Sequence, residues 1–135
     1  MKKRFLVLMM ALVAVCLFAL TPQKAEAATI VDSGTCGTNL TWTLDNEGTL
    51  TISGDGAMDV SWGLNYDWVP PPAPWYGYRN IIERVIIAKG VTTIASFAFV
   101  DCNSLTSIKI PDSVTDIASS AVLDCSSLTG LWVDS

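Results

Sequence analysis

The strongest constraint on the fold is a 23-residue stretch that occurs twice in succession near the C-terminus. Residues 82–104 read IERVIIAKGVTTIASFAFVDCNS, and residues 105–127 read LTSIKIPDSVTDIASSAVLDCSS. The identical aligned pairs are Ile87/Ile110, Val91/Val114, Thr92/Thr115, Ile94/Ile117, Ala95/Ala118, Ser96/Ser119, Ala98/Ala121, Asp101/Asp124, Cys102/Cys125 and Ser104/Ser127. A partial third copy occupies residues 128–135. Tandem repeats of this length are typical of solenoids, in which each repeat buries its apolar face by stacking on its neighbours.

Each copy is predicted to contain a short strand, a turn and a return segment. Ile108 and Ile110 are two residues apart, so both side chains point to the same face of a strand. Pro111 ends that strand, and a second short segment or helical turn then carries Val114 and Ile117 back toward the interior. We therefore expect a β-rich α/β fold, in which an N-terminal β-hairpin module precedes a short right-handed solenoid of about two and a half repeats.

The hairpin is predicted from residues 36–54, where apolar and hydroxyl side chains alternate around the turn Asp45-Asn46-Glu47-Gly48. Period-two alternation around such a turn is typical of a β-hairpin, with Gly48 in the left-handed conformation that closes the loop. Residues 54–80 show no clear period and contain a proline-rich run and an aromatic cluster. They are interpreted as an irregular segment that wraps the first coil and covers its apolar end.

The repeat pattern resembles a known family. Residues 105–125 match L-x-x-I-x-I-P-x-x-V-x-x-I-x-x-x-A-x-x-x-C, which is similar to the BspA-like leucine-rich repeats of secreted and surface proteins of bacteria and some protists. Val122 stands where the family usually has Phe, whereas Ala98-Phe99 in the preceding copy fits fully. The upstream residues 34–37, 48–58 and 74–76 resemble the module that often precedes these repeats.

The resemblance implies a leucine-rich repeat solenoid that binds proteins outside the cell, in some members by adhesion to host or matrix proteins. It supplies no catalytic residue. Relatives usually have many repeats, whereas this chain has two and a partial third. Because roughly three repeats are needed for stable stacking, the last strand is expected to leave an unpaired edge that invites association. We expect either a fragment of a longer protein or self-association through the open C-terminal repeat.

The N-terminus has the features of a secretory signal peptide. Lys2, Lys3 and Arg4 precede the apolar residues 5–20, and Ala25-Glu26-Ala27 supplies a small-x-small cleavage site after Ala27. The alternative, an uncleaved membrane anchor, is disfavoured because the apolar run is shorter than the roughly 20 residues that span hydrocarbon. The predicted organisation is a signal peptide at 1–27, a capping module at 28–80 and repeats at 81–135. The individual repeats are 82–104, 105–127 and a partial 128–135.

Charge disfavours some partners. Cleavage after Ala27 removes four of the eight basic residues and one of the thirteen acidic residues, which leaves a net charge near −8. Such a chain repels phosphate backbones, so no nucleic-acid partner is expected. After cleavage no membrane contact is expected either, and the protein is predicted to be secreted or associated with the cell surface.

The residue types give little support to catalysis. The chain contains no histidine, which excludes Ser-His-Asp and Cys-His catalysis and histidine-ligated metal sites. A glycosidase pair is a remote alternative, although Asp favours turns for backbone reasons alone. The candidate turn carboxylates are Asp45, Glu47, Asp55, Asp59 and Asp67. A non-enzymatic protein with no cofactor and no metal is therefore predicted.

The three cysteines beyond the leader leave two alternatives. Cys102 and Cys125 occupy the same phase of successive repeats, so their Cα atoms are expected about 4.8 Å apart. That separation permits a disulfide. Side chains in one phase point in parallel, however, which favours a ladder of buried free thiols. Cys36 is interpreted as structural.

Two candidate binding surfaces follow from the pattern. The outward strand positions are Arg84 and Ile86, Ser107 and Lys109, and Gly130 and Trp132, with Ile86, Lys109 and Trp132 in one column. An exposed Ile and Trp in such a column predict a surface for a protein partner, which the family resemblance implies is a host or matrix surface protein. The alternative at these positions is that the side chains are simply those that a solvent-exposed face tolerates. The alternative is a carbohydrate-binding module, whose sugar-stacking platform is made of Trp62, Trp68, Trp75 and Tyr76. Against that platform stands the tendency of aromatic side chains to fill small cores.

Overall fold

The structure, a computed structural model, describes residues 26–59, 62 and 71–134. The predicted signal peptide lies outside these residues apart from Glu26 and Ala27, which are exposed. In this part of the chain, no helix has the length and hydrophobicity needed to cross a membrane.

Two sheets make up the described part of the fold. The strands are β1 Ile30–Gly37, β2 Leu40–Asp45, β3 Thr49–Gly54, β4 Gly56–Ala57, β5 Arg84–Ile87, β6 Val91–Ile94, β7 Ser107–Ile110, β8 Asp116–Ile117 and β9 Gly130–Val133. A six-stranded sheet has the order β1-β2-β3-β5-β7-β9, and a three-stranded sheet has the order β4-β6-β8. β1, β2 and β3 are antiparallel, whereas β3, β5, β7 and β9 run parallel.

The α/β expectation is wrong for the described residues, which contain strands and a single 3-10 helix at Tyr76–Tyr78. The return segments, for which a helical turn was one alternative, form β6 and β8 of the second sheet. Residues 91–94 read VTTI, and such β-branched side chains favour an extended backbone.

The parallel pairs within the repeats are offset by the length of the sequence repeat. Val85 lies opposite Ile108, Ile108 opposite Leu131, and Ile94 opposite Ile117. Two backbone hydrogen bonds at the start of the strands keep the same offset: the N–H of Thr106 donates to the carbonyl oxygen of Glu83 at 2.9 Å, and the N–H of Thr129 donates to that of Thr106 at 3.1 Å. Matched positions of successive copies therefore lie side by side.

Hydroxyl side chains add a second set of bonds between the copies. The Oγ1 of Thr106 donates to the carbonyl oxygen of Glu83 at 3.0 Å, and that of Thr115 donates to the carbonyl oxygen of Thr92 at 3.3 Å. The Oγ of Ser113 donates in the same way to Val91 at 2.9 Å. These bonds link the hydroxyl groups of the second copy to backbone carbonyl oxygens of the first copy, two of which belong to β6.

The predicted hairpin is present as β2 and β3, with Leu44 opposite Leu50. Gly48 closes its turn with φ +77, and the Asp45 carboxylate accepts hydrogen bonds from the backbone N–H groups of Glu47 and Thr49, both at 2.9 Å. Because β3 pairs in parallel with β5, the hairpin and the repeats share one sheet.

The core joins the hairpin to the repeats through Trp75. This fully buried indole stacks on Phe99 at 5.9 Å between ring centroids and meets Trp42 and Trp62 edge-on at 5.9 and 5.1 Å. Its Nε1 donates to the carbonyl oxygen of Ala98 at 2.7 Å. The aromatic segment thus packs one face of the first repeat against β2.

The second and third copies of the repeat depart from the expected burial, since Ile117 was expected to point into the interior. Ile94 is 3% exposed, whereas Ile117, in the same phase of the next copy, is 53% exposed. Leu131 and Val133 are likewise exposed, although their counterparts Ile108 and Ile110 are buried. The reason is that no described residue pairs with the outer edges of β8 and β9.

Candidate functional site

The outward-facing side chains of β5, β7 and β9 form a surface that we call the strand face. It consists of Arg84, Ile86, Ser107, Lys109, Gly130 and Trp132. Along β5 and β7 the burial alternates, so that the intervening residues, such as Val85 and Ile108, point into the core. This alternation follows from the two-residue period of a strand.

The predicted binding residues lie together in two rows across the strand face. Arg84, Ser107 and Gly130 are aligned in one row, and Ile86, Lys109 and Trp132 in the other. Neighbouring members of a row are roughly 4.8 Å apart, the spacing of paired strands. Ile86 is 38% exposed and Trp132 is 67% exposed, so the second row presents two large apolar side chains to solvent.

Glycine shapes one end of this surface. A Cβ placed on Gly130 would lie 3.0 Å from the indole Nε1 of Trp132. The absence of a side chain at Gly130 therefore allows the indole to lie back along β9 over the strand.

The two rows of the strand face continue onto the hairpin, and the sequence does not predict this extension. Thr51 lies opposite Ile86, Thr49 lies opposite Arg84, and Thr43 lies opposite Thr51. The alternating threonines of residues 41–51 indicate that hydroxyl side chains point outward from the hairpin. Their alignment with Arg84 and Ile86 depends on the parallel pairing of β3 with β5, which is a property of the tertiary fold.

A groove of about 370 Å³ opens at the carboxyl ends of β5 and β7. Its lining residues are Ile86, Ile87, Ala88, Lys89, Lys109, Pro111, Asp112 and Asp134. The Lys109 ammonium forms an ion pair of 2.9 Å with the Asp134 carboxylate, and both side chains are more than half exposed. Apart from Ile86 and Lys109, these residues were not among the predicted binding residues, because most of them belong to the turns that follow the strands.

A second cavity, of about 540 Å³, lies at the opposite ends of the strands. It is lined by Val31, Asp45, Asn46, Glu47, Gly48, Asn80, Ile81 and Glu83. The Asp45 carboxylate in this cavity already accepts the turn hydrogen bonds described above. Within the described residues, no group of three or more Cys, Asp or Glu side chains could hold a metal ion.

Two residues of the alternative glycan platform, Trp62 and Trp75, are not exposed as a sugar-stacking surface requires. Trp75 and Trp62 are buried and pack against each other, so their faces are closed to a sugar ring. Tyr76 is half-buried, and its hydroxyl donates to the Asp101 carboxylate at 3.2 Å. Trp68 lies outside the described residues. The physical reason is that Trp75 packs on Phe99 of the first repeat and Trp62 packs on Trp75, as aromatic side chains do in small cores.

Cys36, Cys102 and Cys125 are free thiols in this structure. Burial raises the pKa of Cys36 and of Cys102 to about 12. Burial also raises the pKa of Cys125, whose Sγ donates to the carbonyl oxygen of Phe99 at 3.0 Å. A buried neutral thiol is a poor nucleophile at neutral pH, so these residues offer no reactive thiolate there.

Comparison with known proteins identifies the repeats. The family described as "BspA type Leucine rich repeat region (6 copies)" matches residues 75–135. Those residues belong to the BspA type leucine-rich repeat family. No curated protein matches the chain.

Two solved bacterial structures are similar to this chain. A leucine-rich repeat protein from Eubacterium ventriosum is 27% identical, with a TM-score of 0.66 over 80% of this chain. A leucine rich cell surface protein from Faecalibacterium prausnitzii is 22% identical over 82% of this chain, with a TM-score of 0.39. The chain spans 26% of the first protein and 33% of the second.

Proposed function

We propose that this BspA type protein is exported and binds another protein through its strand face, without enzymatic activity. The observation that carries the proposal is the exposed row of Ile86, Lys109 and Trp132 on adjacent strands. Tryptophan is enriched where proteins bind one another, and Trp132 is the large aromatic anchor of this row. Exposed positions of this kind contribute little to the fold, so their chemistry is free to serve a partner.

Export is supported by the sequence of residues 1–27, with its basic, apolar and small-x-small regions. The proposed partners are therefore extracellular proteins, including host or matrix surface proteins, and the proposed location is secreted or at the cell surface.

The finer architecture belongs to the same proposal. Residues 82–104, 105–127 and 128–135 are successive coils of a right-handed solenoid, and residues 28–80 cap its first coil. The 23-residue offset of the parallel strand pairs between successive repeat copies supports this arrangement. The exposed apolar side chains along β9 further support association of this edge with another strand. Light scattering of the purified protein across a concentration series tests that association, and a mass that stays monomeric would contradict it.

Binding through the strand face is tested with matched substitutions. Ile86→Thr and Trp132→Ala change exposed side chains and should leave the fold intact, as circular dichroism would show. The control is Ile117→Thr, which makes the same chemical change at a residue of the other sheet. The wild type and variants are tested on an array of purified matrix and cell-surface proteins and on a glycan array.

We expect protein binding that the two strand-face substitutions weaken and the control leaves unchanged. Binding to glycans alone would overturn the proposal, as would equal protein binding by all variants.

A further inference from the structure

We propose that the strand face holds an extended acidic segment of its partner, in which carboxylates flank one bulky apolar side chain. This inference rests on the proposed function of the strand face and names the chemistry of the partner. It depends on the position of Arg84 and Lys89, which have no ion-pair partner among the described residues, around the exposed Ile86 and its groove.

The distribution of charge favours an acidic partner. Beyond residue 27 the chain has four basic residues, Arg79, Arg84, Lys89 and Lys109. Three of them lie on the strand face or in the groove at its end. The fourth, Arg79, lies over the Tyr76 ring at 4.4 Å. The chain beyond residue 27, with a net charge near −8, thus has most of its cations on one surface, where they attract negative charge.

Two of these cations are available to a ligand. Lys109 is engaged by Asp134, but Arg84 and Lys89 are exposed and form no ion pair with any residue that the structure describes. Asp112, the other acidic residue that lines the groove, forms no ion pair among those residues and so does not engage either cation. An incoming carboxylate therefore meets Arg84 and Lys89 without first breaking an internal ion pair.

The spacing fits a strand-like ligand. Arg84 and Ile86 are two residues apart on β5, so their side chains emerge on the same face roughly 7 Å from each other. Lys89 follows the end of the strand and lines the groove on the far side of Ile86. Alternate side chains of an extended peptide have the same spacing, so a sequence Glu-x-Leu-x-Glu places its carboxylates near Arg84 and Lys89.

The groove provides the apolar contact. Ile86, Ile87, Ala88 and Pro111 supply its hydrocarbon surface, and its volume of about 370 Å³ accommodates one large side chain. This apolar floor favours a peptide over a sulfated or uronic polysaccharide, which has no bulky apolar group to place there.

The experiment uses the protein purified after export and three fluorescein-labelled synthetic peptides. Their central sequences are Glu-Ser-Leu-Ser-Glu, Lys-Ser-Leu-Ser-Lys and Glu-Ser-Ser-Ser-Glu, and heparin is the fourth probe. Fluorescence anisotropy is measured at low and high NaCl concentration. We expect the acidic leucine peptide to bind about tenfold or more tightly than the other two peptides, and we expect salt to weaken it.

Variants then locate the contact. The double substitution Arg84→Gln/Lys89→Gln should weaken the acidic leucine peptide about tenfold, and Ile86→Thr should remove its advantage over the serine peptide. The control Thr38→Glu/Ser119→Glu also lowers the net charge by two, at exposed positions outside the strand face, and should change binding less than twofold.

Preference for the lysine peptide or for heparin would overturn the inference, as would the absence of binding to all four probes or equal effects of the control and test variants. The proposed function is separable from these outcomes. If Ile86→Thr and Trp132→Ala still abolish binding to a protein on the array, the strand face remains a protein-binding surface and only the acidic character of the partner is wrong.

Discussion

Alanine substitutions at Ile94 and Ile117 should have very different costs, although the two residues occupy the same position of successive repeats. Replacing isoleucine by alanine removes three carbon atoms, each worth about 0.8 kcal/mol when fully buried. Ile94 is 3% exposed, so its substitution loses nearly the whole transfer free energy, roughly 2.4 kcal/mol at 0.8 kcal/mol per carbon, and also leaves a cavity. The expected loss of stability is about 3 to 4 kcal/mol.

Ile117 is 53% exposed, so about half of the same transfer free energy is at stake. The open surroundings leave no enclosed cavity when the side chain is shortened. We therefore expect Ile117→Ala to cost about 1 kcal/mol. The expected difference between the two variants is about 2 to 3 kcal/mol. It arises because the next repeat copy covers Ile94, whereas no described residue covers Ile117 in the same way.

The assay is urea unfolding followed by tryptophan fluorescence, with the free energy extrapolated at a common m-value. Ile94→Val serves as a control for the cavity, with an expected cost of about 0.5 to 1.5 kcal/mol. Equal losses for the two alanine variants, or a larger loss at Ile117, would refute the reasoning. Either result would mean that burial along the repeats is not set by stacking in the order described.

Three further predictions concern the core, the hairpin turn and pH. Trp75→Ala should cost about 3 to 5 kcal/mol in the same urea assay, because it removes the ring that joins the hairpin to the repeats, and a loss under 1 kcal/mol would contradict that role. Gly48→Ala should cost at least about 1 kcal/mol, since its φ of +77 disfavours a side chain and the new Cβ would lie 2.5 Å from the carbonyl oxygen of Ile81; an unchanged urea midpoint would contradict this. Burial raises the pKa of the Cys36 and Cys102 thiols from 9.0 to about 12, so the unfolded chain ionises first and stability should fall between pH 9 and 12. In a variant with both Cys36→Ala and Cys102→Ala, the stability should fall less between pH 9 and 12 than in the wild type. An identical dependence of stability on pH in the variant would contradict the role given to the two thiols.

The repeat in the sequence predicted the strand pairing well because stacking preserves phase. Once Ile87 and Ile110 are matched in sequence, the 23-residue offset fixes which outward residues are neighbours, and Ile86, Lys109 and Trp132 align accordingly. The repeated Asp101 and Asp124 have a local cause as well. Both adopt left-handed backbone angles, φ +58 and +57, which Asp tolerates better than most residues do.

Other features depend on tertiary contacts that no local pattern encodes. The outward threonines of the hairpin extend the strand face only because β3 pairs in parallel with β5. Strand β1 was not predicted, because its register is interrupted at two places and Gly34 sits against the indole of Trp42. Apolarity alone does not distinguish Trp75, which fills the core, from Trp132, which points to solvent.

The groove and the exposure of Ile117 were missed for related reasons. Lys89 and Pro111 lie in turns, where sequence periodicity says nothing about direction, and they meet only when β5 and β7 are adjacent. Ile117 occupies the same repeat position as the buried Ile94, but its burial would require a paired strand on both sides of β8.

The most direct test of the account is a measurement of scalar couplings across hydrogen bonds by NMR. The side-by-side arrangement of the repeats predicts a coupling between the amide nitrogen of Thr106 and the carbonyl carbon of Glu83, and another between the amide nitrogen of Thr129 and the carbonyl carbon of Thr106. Both couplings should be present, each joining residues 23 apart. Coupling of the Thr106 or Thr129 amide nitrogen to a different carbonyl carbon, or rapid solvent exchange of both amides, would contradict the alignment that creates the strand face.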